Sequence, residues 1–217
     1  MTGALLGVRL QKCTDLVIIE SGEGSAKAHI QSRQVTFLKK LYSRHDFRES
    51  PVCFAMHLAK RAKSPMSLYM QKLESTTHDP IQKEADCIKQ KILHSESSRR
   101  QAYLSINPSL DRHMMYSVTE IPEYARRAFT RIRLGSHWLK IETGRWSRID
   151  REQRTCPCGN MQTDEHMICV CPYTAHLRDK FISIDFTSIK DVMASENMKD
   201  IASLCYAVLQ QADIINQ

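Results

Sequence analysis

Between Cys156 and Cys171 the chain reads Cys-Pro-Cys-Gly-Asn-Met-Gln-Thr-Asp-Glu-His-Met-Ile-Cys-Val-Cys, and any fold it adopts must accommodate that density of metal-ligand side chains. Taking Cys156, Cys158, His166 and Cys171 gives the spacing C-x-C-x7-H-x4-C. Three soft thiolates and an imidazole suit tetrahedral zinc in a closed, structural site. Gly159-Asn160 supplies the turn behind the first pair. The one-residue spacer between Cys156 and Cys158 is a tighter bite than the common two. The residues leave alternatives open. Cys169 could replace Cys171, giving H-x2-C, or could join Cys156, Cys158 and Cys171 in an all-thiolate site without His166. His176, five residues beyond Cys171, reads as a surface residue. A redox pair would want C-x-x-C at a helix start, which is lacking. A catalytic metal would keep a place for water and need a base, for which Glu165 is the neighbour. Four ready ligands argue for completed coordination instead.

The remaining cysteines, Cys13, Cys53, Cys87 and Cys205, are scattered singly. A secreted disulfide framework would spread its pairs more evenly. They are expected to act as small buried hydrophobes. Met1 to Cys13 lacks the cationic flank and long apolar stretch of a signal peptide, and no apolar run approaches the roughly 18 residues of a membrane helix. An intracellular chain with no membrane partner is the expectation.

The net charge of +7 is unevenly placed. From Ile121 to Thr155 there are nine basic residues, eight of them arginine, against four acidic ones, while the other 182 residues carry an excess of two. A charge run is commonly only a solvated face. Arginine's planar fork pairs bidentately with phosphate, which tilts this one toward a polyanion. The candidate contacts are Arg126, Arg127, Arg131, Arg133, Lys140, Arg145 and Arg148. Trp138, Trp146 and Tyr173 lie near enough in sequence to stack on bases, although a tryptophan is as well explained as core.

Helix-period apolar spacing dominates and strand signals are few. The spacing predicts a helix over Ser25–Ser43, with Ile30, Phe37, Leu38, Leu41 and Tyr42 inward and Lys27, Arg33, Lys39 and Lys40 outward. Shorter helices are expected at Pro51–Lys63 and Pro65–Glu74, each with proline in its first turn, and a polar one at Asp79–Ser98. Asn107-Pro108-Ser109 marks a break. The clearest amphipathic segment is Pro122–Leu134. Ile121, Tyr124, Ala125, Ala128, Phe129 and Ile132 fall within an arc of roughly 140°, leaving Arg126, Arg127, Arg131 and Arg133 outward. A short helix over Ser136–Ile141 should break at Gly144. Pro172 can open another to about Phe181, and Ile201, Leu204, Cys205, Val208, Leu209 and Ala212 form the buried stripe of a last one. The fold class is all-α with one zinc-stapled turn, divided into a helical region 1–118 and a region 119–217.

The stretch Arg131–Cys156, running on to Cys-Pro-Tyr-(x)3-Leu-Arg at 171–178, resembles the C-terminal part of non-LTR retrotransposon reverse transcriptases. In that family a segment similar to R-x-G-x-H-x-L, here Arg133 to Leu139, leads into a zinc knuckle whose last cysteine is often followed by proline. The resemblance implies Cys156, Cys158, His166 and Cys171 as ligands, with Cys169 left over. Leu5–Arg9 and Ser32–Lys40 are similar to the thumb and linker helices that follow the polymerase palm, which implies a multi-helix bundle ahead of the knuckle. The family's polymerase holds its magnesium ions on paired aspartates, and this sequence contains no Asp-Asp pair. Nor does it carry a recognisable carboxylate cluster for an RNase H or an endonuclease. The resemblance therefore implies a non-catalytic, zinc-dependent module that contacts template RNA or target DNA, with the upstream polymerase part of the same element as a further partner. The competing expectation is a structural or protein-interaction remnant in which zinc only stabilises the fold.

Overall fold

The computed structural model describes residues 14–76 and 78–216, and among these it is all-α. In chain order the helices are α1 (Thr14–Ser21), α2 (Ala26–Tyr42), α3 (Pro51–Arg61), α4 (Pro65–Glu74), α5 (Pro80–Leu93) and α6 (Ser98–Ile106). They continue with α7 (Glu123–Arg133), α8 (Lys140–Trp146), α9 (Ala175–Arg178), α10 (Ile189–Ala194) and α11 (Met198–Ile215). No helix among the described residues is long and apolar enough to cross a membrane. The segment Leu5–Arg9, likened above to a thumb element, lies outside the described residues.

Contacts divide the chain into 23–90 on one side and 91–216 with α1 on the other. The boundary expected at 118/119 falls inside the second of these units.

Within 23–90, serine and proline fix where helices begin. Ser25 Oγ accepts from the Ala28 backbone N–H, Ser50 Oγ from that of Cys53 and Ser64 Oγ from that of Ser67. Pro51 and Pro65 take the first helical position, where the missing N–H has no partner to lose. The inward face of α2 differs from the expectation. Val35 and Leu38 are buried there and pack with Leu73 of α4, whereas Ile30 and Phe37 are exposed. The expected stripe left out Val35, which is inward because α4 packs on that side of α2.

In the other unit α7 packs against α11. Ile121, Ala125, Ala128, Phe129 and Ile132 meet Ile201, Leu204, Cys205, Val208, Leu209 and Ala212 in one apolar cluster. Both stripes lie where the periodicity put them, except that Tyr124 is exposed and packs at a tilt against Tyr206, ring centroids 4.6 Å apart. Helix α1 carries four consecutive apolar residues and buries Leu16 to Glu20. Its Glu20, fully buried, accepts from Tyr103 of α6, from Tyr116 and from Arg133 of α7.

Helix α8 corrects the expected helix over 136–141. It starts at Lys140 and runs through Gly144 rather than breaking there. A Cβ on Gly144 would come 2.6 Å from Cγ and Cδ of Arg154. The bare glycine lets that side chain lie across the helix and donate to the Ile141 and Ile149 carbonyls.

Candidate metal centre

The loop ahead of the ligands is a small antiparallel turn. Thr155 bridges to Met161, the Cys156 N–H donates to the Asn160 carbonyl at 2.7 Å, and that of Gly159 donates to the Cys156 carbonyl at 2.9 Å. Gly159 has φ +91°, a left-handed conformation that a side chain would oppose. This turn points the Cys156 and Cys158 thiols the same way. Buried Gln162 then ties the loop to the start of α8, accepting at its Oε1 from the Lys140 N–H.

The second pair comes from a single wide turn. His166–Val170 is π-helical, and the Cys171 N–H donates to the His166 carbonyl at 2.7 Å. Residues five apart stand about 140° round an α-helix. The i→i+5 turn brings them back toward one face. His166 and Cys171 therefore meet Cys156 and Cys158, and the four ligand atoms all lie within 4.8 Å of one another. The Sγ atoms of Cys156 and Cys171 are 3.7 Å apart, and Cys158 Sγ is 3.2 Å from His166 Nε2. A tetrahedral zinc with Zn–S near 2.3 Å needs S···S edges of about 3.8 Å. The residues fit the ion.

The surroundings suit a cation. At Cys158 the cost of burial is outweighed by hydrogen bonds from Asn160, Cys156 and Cys171, and its thiol lies below the usual range. Burial and the neighbouring thiols push Cys171 up to about 12. Three thiols this close cannot all ionise against one another without a positive ion among them. Burial, then the Arg178 charge, lowers the His166 pKa, so its imidazole is held neutral, the form that binds metal. Arg178 also anchors the turn, donating to the Cys171 carbonyl at 2.9 Å. Thr174 donates to the carbonyls of Met167 and Cys171.

Cys169 is not in the group. It is buried in the apolar cluster, where burial and the Glu165 carboxylate raise its thiol to about 11. His176 and Glu165 are exposed. Arg133, His137 and Leu139 of the R-x-G-x-H-x-L segment prove to be buried. His137 is buried with its Nε2 2.5 Å from Asp164 Oδ1, just ahead of the ligand turn, and Leu139 is fully buried. Sequence reasoning missed this contact; His137 falls on no helical stripe that would have marked it.

The arginines do not form the single outward face expected of them. Arg133 is corrected outright: it is buried, with Nε 2.6 Å from Glu20 Oε1, because α1 packs against the end of α7 that carries it. Arg126 donates to the carbonyls of Val118 and Ile121, fixing the approach to α7. Arg131 lies over the Trp138 ring, 5.4 Å from its centroid, while that indole donates to the Leu209 carbonyl. Arg127 pairs with Glu123, and Arg145 with Glu142 at 3.2 Å. Lys140 is half-buried and Arg148 exposed. Trp146 and Tyr173 are both partly open to solvent.

No protein-family model, no curated protein and no solved structure matches this chain.

Proposed function

We propose that the chain is a zinc-stapled helical module that works by binding rather than by catalysis, and that its partner is RNA or DNA. The metal part is carried by one observation: three thiols and an imidazole, mostly buried, at the edge lengths of a zinc tetrahedron. Bound there, zinc would cross-link the 155–162 turn to the 166–171 turn. Its four protein ligands leave no position for a reacting water.

Charge supports the nucleic-acid part. With Arg126 and Arg133 committed inside the fold, the surface contribution falls to Arg127, Lys140, Arg145 and Arg148, joined by exposed Arg151. Contacts of this kind go mostly to phosphate, so affinity should be weakly sequence-specific and should fall steeply with salt. The resemblance of 131–178 to retrotransposon reverse transcriptases points the same way.

Purified protein should carry one zinc per chain, lost in Cys158→Ser. The zinc-loaded chain should bind single-stranded RNA or duplex DNA at low salt and release it at high salt. Alanine at Arg127, Arg148 and Arg151 together should remove that binding with the fold intact. Zinc-loaded protein that binds neither polymer at low salt would leave the second reading, a purely structural staple, which the internal use of Arg126 and Arg133 favours.

A further inference from the structure

The unit 23–90 carries a groove of about 480 Å3 between α2, α3 and α4 that nothing above uses. Val35, Leu38, Met56 and Leu73 line it with apolar atoms, and Lys39, His57 and Lys60 line it with cationic or titratable nitrogens. Its one lining carboxylate, Glu74, is already engaged by the Tyr42 hydroxyl and by Lys60 Nζ at 3.2 Å. Lys39 and His57 are exposed. The segment that builds the groove is heavily one-sided in charge. Residues 26–74 hold ten basic side chains and three acidic ones, and Asp46 is spent on Arg44. The rest of the sequence balances, with 21 basic side chains against 21 acidic ones.

We infer that this groove docks an acidic amphipathic helix of a partner protein. The apolar cluster that joins α2 and α4 is only Val35, Leu38 and Leu73 with Met70 packed against them, so little apolar surface is buried to hold these helices together. A concave apolar trough is the shape into which a helix lays one face, with anchors at i, i+3 or i+4 and i+7. Carboxylates flanking that apolar face would meet Lys39 at the rim, where opposite charge steers encounter and fixes register. A bilayer would instead meet a flat or convex apolar face. A nucleic-acid backbone would leave the apolar floor wet.

The test uses the full zinc-loaded chain and a labelled helical peptide of about five turns, leucines on one face and glutamates on the other. A lysine-for-glutamate counterpart serves as the control. The acidic peptide should bind with Kd on the order of micromolar, and the lysine peptide at least about tenfold more weakly. In methionine-methyl NMR the Met56 signal, assigned by Met56→Leu, should move while that of Met193 in α10 stays. Lys39→Glu should weaken binding about tenfold without changing helix content. Absence of binding, equal affinity for both peptides, an unmoved Met56 signal or an unaffected Lys39→Glu variant would each overturn the inference. So would displacement of the peptide by anionic phospholipid vesicles. None of these readouts involves the metal ligands or Arg127, Arg148 and Arg151, so this inference and the nucleic-acid reading stand or fall separately.

Discussion

Cys169 and Cys171 sit two residues apart, and the backbone gives them opposite roles. The π-type turn swings Cys171 beside His166, while Cys169 points into the apolar cluster and is kept protonated by burial. Cys171→Ala should therefore abolish metal binding, whereas Cys169→Ala should keep one ion per chain and lose only packing. Metal content after gel filtration, with competition against a chromophoric chelator, separates the two. Spacing alone had left both cysteines eligible, because it says nothing about which i→i+n hydrogen bond closes the turn. Arg133 was illegible for a related reason. Periodicity puts it on the polar side of α7, but only the tertiary fold brings the Glu20 carboxylate to it. Glu20→Ala should cost about 3–5 kcal/mol in urea unfolding, since it strands a buried guanidinium. Replacing both partners, Glu20→Leu with Arg133→Met, should cost less than the single change. A double variant no more stable than Glu20→Ala would mean that the cost comes from lost packing.

At the scale of elements, the prolines that open α3 and α4 were readable because their chemistry is local. Ser25, Ser50 and Ser64 start α2, α3 and α4 because a hydroxyl two or three residues before a free N–H satisfies it whatever the rest of the chain does. Gly144 shows the opposite case: its local signal is to break a helix, and the Arg154 side chain lying across it overrides that signal. Gly144→Ala should thus destabilise by about 1–3 kcal/mol, although alanine is the better helix former. A stabilised variant would show that Arg154 moves aside freely. The 3-10 turn Met114–Ser117 adds a pH-dependent element. His113 accepts at Nδ1 from the Met115 N–H, and its Nε2 lies 3.2 Å from the Met193 carbonyl of α10. That pattern requires a neutral ring. Burial, then the Arg133 charge, lowers its pKa below 6.5. The unfolded chain then binds this proton more readily than the fold, so stability falls as pH drops through and below that ordinary value. His113→Gln should lose less stability between pH 7 and pH 5.5 than the parent, measured as the difference between paired urea titrations.

Across the whole molecule, the two units are held by different means, and that difference predicts how each responds to losing metal. Around α7 and α11 a large apolar cluster reaches the ligand turn itself, with Cys156, Met167, Ile168 and Cys171 among its members. In the 23–90 unit the apolar cluster joining α2 and α4 has only three buried side chains, and α3 buries no residue. Local opening free energy follows buried apolar contact. Amide exchange should accordingly be slowest in α7 and α11 and fast throughout α3, even with the metal bound. A structural zinc supplies on the order of 10 kcal/mol to the segment it closes. Chelation should therefore raise exchange sharply over 155–178 and in α11, which packs on the ligand turn, and leave α2 to α4 as they were. Hydrogen-exchange mass spectrometry with and without chelator reads both regions in one sample. Equal acceleration in 23–90 would show that the staple supports the whole chain. Acceleration nowhere would show that the cluster alone holds the turn, and that the four ligands meet without needing the ion.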